Sequence, residues 1–175
     1  YNMDNDPHIL NNYDEGSIKK TIYPGSRTED MSKAHPLLDY YLIRQIERSG
    51  SPFVKGNWQQ NQYAYLRLAD DEKMEYRHTD SAYDWAYLIY MSATNLDSGT
   101  KFFESEEVEN LSGEITTGVK VKDEADHLAG VTDQIAFIQN RLVMFDCNVP
   151  HRAWGDHGTT FEDGRLTING FGNYK

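Results

Sequence analysis

Beyond Gly50 the apolar residues come in strand-sized runs divided by turn-forming clusters, and this texture limits the fold more than any other feature. "QYAYLRLA" alternates, "DDEK" turns, and "MEYRHTD" begins another strand. "DWAYLIYMS" reads as a buried strand, "NLDSGT" as a turn into "KFFES", and "GEITTGVKVKD" as a short β element. "QIAFIQNRLVMFD" reads as two apolar strands joined at "QN", a hairpin signal. The last run, "GRLTINGFG", puts Leu166 and Ile168 on one face and Arg165, Thr167 and Asn169 on the other. Many short strands with turn signals predict a mainly β fold, a sandwich, barrel or jelly roll, with one or two packing helices on its N-terminal side.

One of those helices is predicted over "SKAHPLLDYYLIRQIERSG". Pro36 suits its first turn, Leu37, Leu38, Tyr41, Leu42 and Ile46 follow a helical period, and Gly50 stops it. Residues 1–27 are polar and turn-rich and read as an irregular arm, leaving residues 28–175 as a single domain. A length of 175 residues suits one domain, and 12 Tyr, 7 Phe and 3 Trp supply bulk for its core.

Charge and cysteine content narrow the function classes. A net charge of −11 argues against nucleic acid and against anionic membrane surfaces, since both need clustered Lys and Arg. No apolar run approaches the roughly 20 residues of a membrane span. Cys147 is the single cysteine, so no internal disulfide is possible, and a cytoplasmic setting is the expectation. No signal-peptide pattern opens the sequence, which begins at Tyr1. The partner expected on these grounds is a peptide or a small molecule.

Chemistry concentrates at "RHTD". Residues i and i+2 of a strand share a face, so His78 and Asp80 point the same way. A histidine and a carboxylate converging like this are two facial ligands in need of a third, the pattern that suits non-haem Fe(II) oxygenases. The third ligand has several candidates. His8 and His35 read as surface residues, and His127 sits in an acidic loop. His151 lies just past the core run "NRLVMFDCNVP", and His157 is its rival close by. Arg165 opens the terminal strand on its polar face. If that face looks inward, the guanidinium needs an anion, which a dicarboxylate would supply in bidentate form.

"RHTD", "DSGTKFF", "NRLVMFDCNVPH" and "GRLTINGF" together, in this order, resemble the 2-oxoglutarate- and Fe(II)-dependent oxygenases, most of all the prolyl-hydroxylase-like branch. The likeness covers roughly residues 60 to 174. It implies a double-stranded β-helix, a cupin-like jelly roll, in which His78, Asp80 and His151 hold the iron. It also implies that Arg165 and Tyr90 take the distal carboxylate of 2-oxoglutarate, with Thr167 adding a further bond. The cofactors it implies are Fe(II), 2-oxoglutarate and O2, with ascorbate as an optional reductant. The implied reaction hydroxylates an unactivated C–H bond and releases succinate and CO2. A peptidyl proline is the first substrate expected, and a small molecule such as a free amino acid the second.

This sequence departs from the family pattern in three places. The gap between His151 and Arg165 is long, so "WGDHGTTFEDG" reads as an inserted loop unless His157 is the ligand. The turn reads "DSGT" in place of paired glycines. A family tyrosine ahead of the His-x-Asp has no clear counterpart, with Tyr63 and Tyr65 both unassigned. Trp85, Trp154 and Phe103 are candidates for a substrate wall. Two other classes stand beside the oxygenase: a zinc-dependent hydrolase using the same ligands, and a non-catalytic jelly-roll binding module. The hydrolase lacks a general base at a telling spacing and leaves Arg165 without a role.

Overall fold

A computed structural model describes residues 9–11, 25–51, 53, 58–70, 77–80, 82–104, 106–109, 115–118 and 130–174. The lead-in contributes two short strands, β1 (Ile9–Asn11) and β2 (Ser26–Thr28), which pair with each other although the polar composition there predicted irregular chain. The single helix expected from Ser32 to Gly50 is two, α1 (Met31–Ala34) and α2 (Pro36–Arg48). The break falls at His35, at φ −143° and ψ 67°. A residue before proline is pushed out of the helical region by the pyrrolidine ring, so Pro36 starts a new helix and ends the old one. Asp30 caps α1 by accepting a 2.9 Å hydrogen bond from the Ser32 amide. Gly50, at φ +68°, follows the end of α2 as expected.

The remaining strands are β3 (Trp58–Arg67), β4 (Trp85–Tyr90), β5 (Asn95–Phe103), β6 (Glu106–Glu109), β7 (Ile115–Gly118), β8 (Val131–Phe137), β9 (Leu142–Asp146), β10 (His151–Trp154) and β11 (Arg165–Tyr174). A six-stranded sheet has the order β1-β2-β3-β11-β4-β9, a three-stranded sheet the order β10-β5-β8, and β6 pairs with β7 alone. All the pairings are antiparallel. The fold is thus mainly β with two helices, consistent with a β-sandwich or jelly roll. Among the described residues no helix is long and apolar enough to cross a membrane.

Two local patterns gave the wrong connection. "QN" does not join a hairpin, because β8 belongs to the three-stranded sheet and β9 to the six-stranded one. The chain changes sheets through a turn whose Asn140 sits at φ +65°. "NLDSGT" is not a turn either: it lies inside β5, which absorbs the irregularity as a register shift between Asn95 and Gly99.

Each face of the six-stranded sheet has its own core. On the outer face Met31 and Ile46 of the helices bury against Ala64, Trp85, Tyr87 and Ile168. Gly170 and Gly172 of β11 stand opposite Tyr87 and Trp85, and a Cβ at either glycine would run into the facing ring. Tyr87 donates to Gln62, which donates to the buried Asp39 of α2, tying helix to sheet. On the inner face Ala86 and Phe145 meet Phe102 of the other sheet, so the two sheets close on a shared interior.

Candidate metal centre

The segment before β4 was expected to be a strand carrying His78 and Asp80. Its described part, residues 77–80, makes a single antiparallel bridge, in which His78 and His151 exchange backbone hydrogen bonds of 3.1 and 3.0 Å. That bridge sets the two imidazoles side by side, with ring centroids 4.5 Å apart. Asp80 is positioned by its amide, which donates to the Cys147 carbonyl at 2.9 Å. His78, Asp80 and His151 each offer a ligand atom, and these atoms lie within 4.8 Å of one another.

Both ring nitrogens of His151 are engaged. Its Nδ1 lies 3.0 Å from the Val149 carbonyl oxygen, which can only accept, so that nitrogen carries the proton. Its Nε2 faces Asp80, whose Oδ2 is 3.3 Å away. A proton on Nε2 bridges that pair in the absence of metal, and a shared cation could take its place. Ligand atoms about 2.1 Å from a common ion and at right angles would stand about 3 Å apart, which matches. The Val149 contact is also the kind of support that orients a ligating histidine. Burial alone would raise the Asp80 carboxyl, but the hydrogen bond from His151 and the charges of both histidines hold it below its ordinary value. Phe145 and Phe102 pack against His151 at ring separations of 4.6 and 6.2 Å and form an apolar backing.

His157 does not join this cluster. Its ring stands edge-on to Phe137 at 5.3 Å, and burial depresses its pKa. The loop that carries it folds back onto the sheet, with Asp156 pairing with Arg67 at 2.5 Å and the Gly158 carbonyl accepting from the Ala69 amide. The inserted stretch thus closes one end of the interior, and His151 remains the residue beside Asp80.

A cavity of about 300 Å³ opens on the triad. Arg165 lines it, 3 % exposed, with one nitrogen donating to the Gly99 carbonyl at 3.1 Å and the guanidinium 5.5 Å from the centre of the Phe137 ring. Burial lowers its pKa, offset in part by the charge of Asp156, and no described carboxylate forms an ion pair with it. Thr167 lines the same wall two residues on. Tyr90 does not line it. Its ring stacks on Phe137 at 4.4 Å and its hydroxyl donates to Thr100 at 2.8 Å, so Thr100 is the group that faces the space.

The expected aromatic wall is also different. Trp85 belongs to the core under the helices, and neither Trp154 nor Phe103 lines the cavity. Tyr63, Tyr65, Tyr83 and Phe171 do, and burial pushes the Tyr65 phenol above its ordinary value. Four arginines line the space, Arg27, Arg67, Arg152 and Arg165, against one described carboxylate, Asp80. In a chain of net charge −11 that contrast gives the cavity a basic lining, with Arg67 already paired to Asp156. Tyr63, Tyr65 and Arg67 carry a signal the sequence did show: they alternate along "QYAYLR", on the face that pairs with Asn169, Thr167 and Arg165.

No family model matches the chain, and no curated protein matches it. Among solved structures the chain is similar to the crystal structure of EvdO2 from Micromonospora carbonacea var. aurantiaca, with a TM-score of 0.51 and 14 % sequence identity. That alignment covers 84 % of this chain and 66 % of EvdO2, so the chain spans just under two thirds of its neighbour's length. The likeness is one of fold.

Proposed function

We propose that the chain is an Fe(II)- and 2-oxoglutarate-dependent oxygenase on a double-stranded β-helix. One observation carries the reading: a His-Asp-His cluster and a buried arginine with no described carboxylate partner open onto one cavity. The strand orders support the fold. β3-β11-β4-β9 faces a second layer in which the His78 segment extends β10-β5-β8, so β3, the His78 segment, β4 and β5 alternate between layers, and so do β8, β9, β10 and β11.

His78, Asp80 and His151 would hold the iron on one face, leaving its other positions to ligands. Iron bound there supplies the redox chemistry that couples decarboxylation of 2-oxoglutarate to hydroxylation of a C–H bond. The chain supplies position and exclusion of water. Arg165 takes the distal carboxylate through its free nitrogens, a charge-assisted contact in a site closed to solvent. Thr167 and Thr100 stand on the same wall, and Tyr90 fixes the Thr100 hydroxyl. Phe102 and Phe145 keep water from the far side of His151.

Anaerobic addition of Fe(II) and 2-oxoglutarate tests this. The expected result is a weak visible charge-transfer band that His78→Ala abolishes, followed by succinate release when O2 is admitted. Folded protein that gives neither band nor succinate refutes the proposal and leaves the hydrolase and binding-module classes.

A further inference from the structure

The cavity extends beyond the triad and Arg165, and its lining there has a definite chemistry. On the inner face of the six-stranded sheet Arg27, Tyr65, Thr167 and Tyr90 form one row across β2, β3, β11 and β4. Tyr63, Asn169 and Leu88 form the next. Arg27 thus stands at the sheet's outer side, three strands from Tyr90. Its guanidinium lies 5.6 Å from the centre of the Tyr63 ring, and no described carboxylate forms an ion pair with it.

From Arg27 a run of rings leads to the metal ligands. Tyr63 lies 6.2 Å from Phe171, Phe171 stacks on Tyr83 at 4.9 Å, and the Tyr83 amide donates to the Asp80 carbonyl. Beside this run the Asn169 side-chain oxygen is buried without a partner among the described residues. A cation with no counter-charge among the described residues, a flat apolar wall and an acceptor unmet among those residues all border one space. Arg165 is the group nearer the core and suits the co-substrate, so Arg27 is left for a second anion.

We propose that the substrate is an anionic small molecule, a carboxylate or phosphate on a flat apolar body, with its acid on Arg27. Its body lies along Tyr63, Phe171 and Tyr83, which directs the far end towards Asp80. The identity of this molecule as a substrate rests on the oxygenase reading, whereas the anion site itself does not. A neutral prolyl segment leaves Arg27 unpaired and is the poorer fit. Small size follows from a cavity of about 300 Å³ shared with the co-substrate.

Ligand-observed NMR on the full chain, with phenylacetate, phenyl phosphate and neutral phenylacetamide as probes, tests the site with and without 2-oxoglutarate. At least one anion should bind more tightly than the amide, and 2-oxoglutarate should not displace it. R27Q should weaken that anion about tenfold or more while R27K retains it. R27Q should leave 2-oxoglutarate binding unchanged. The tighter anion identifies the headgroup as carboxylate or phosphate. Equal anion binding by R27Q and wild type, an amide that binds as well as the anions, or anion loss in R165Q alone overturns the proposal. Failure of the oxygenase reading has another signature, 2-oxoglutarate that binds neither wild type nor R27Q, and the anion measurement still decides the Arg27 site.

Discussion

The two faces of the six-stranded sheet are built from the same strands and do different work. β11 sends Leu166 and Ile168 outwards to the helices, and Arg165, Thr167 and Asn169 inwards to the cavity. β4 does the same with Trp85 and Tyr87 against Ala86 and Leu88. The outer face is largely apolar, and Tyr87, Gln62 and Asp39, buried there, bond one another. The inner face keeps polar groups with open valences, including the Arg165 Nε and the Asn169 oxygen. Buried polar groups are normally bonded, so the open ones that line the cavity are what the proposed ligands would satisfy. Strand alternation separates the packed core from the cavity lining at single-residue resolution.

The sharpest way to break that comparison is at the triad. Asp80→Ala should remove measurable iron binding, with the melting temperature of the metal-free protein close to wild type; a variant that unfolds outright would place Asp80 with the structural face. On the outer face Trp85→Ala should cost about 3–5 kcal/mol by chemical denaturation, because a buried indole leaves a cavity that the sheet cannot close. Its 2-oxoglutarate affinity, measured where the protein is still folded, should stay near wild type. Arg165→Gln should do the reverse, weakening 2-oxoglutarate by about 2–5 kcal/mol in calorimetric titration while iron retention is unchanged. Equal loss of iron and 2-oxoglutarate would contradict the role given to Arg165.

Smaller effects sharpen the boundary. Tyr90→Phe removes one hydrogen bond to Thr100 and should cost about 1 kcal/mol of stability with a minor change in 2-oxoglutarate affinity. A large affinity loss would bring Tyr90 back to the carboxylate. Asp39 gives a pH test on the outer face. Burial raises its carboxyl above the usual 3.8, with the Gln62 hydrogen bond opposing, so the folded state favours the protonated form. Its stabilising contribution is full below pH 3.8 and is lost as pH rises through the raised value. The melting temperature of Asp39→Asn relative to wild type should therefore climb over that interval. A difference that does not change with pH removes the assignment.

Much of this division was legible in the sequence, because period-two alternation is a direct record of which side of a sheet a residue faces. "GRLTING" separates its two faces correctly, and "QYAYLR" holds the same information on Tyr63, Tyr65 and Arg67. His78 and Asp80 were legible as a pair because their spacing is local. What failed was the reading of connections. An apolar run, a turn and another apolar run look alike whether the strands pair or part, which is why "QIAFIQNRLVMFD" was read as a hairpin. Arg27 could not be found, since its neighbours are polar and turn-rich and only pairing with β3 brings it to the cavity. The helix break at His35 was legible in Pro36, whose effect on the preceding residue is purely steric.

The account depends on three side chains meeting on one ion, and iron retention measures that most directly. Wild type and His78→Ala, Asp80→Ala, His151→Ala and His157→Ala proteins would be loaded anaerobically with Fe(II), desalted and assayed for metal. The account predicts stoichiometric iron in wild type and in His157→Ala, and iron lost from each of the other three. Iron lost from His157→Ala, or kept by any of the three ligand variants, would contradict it.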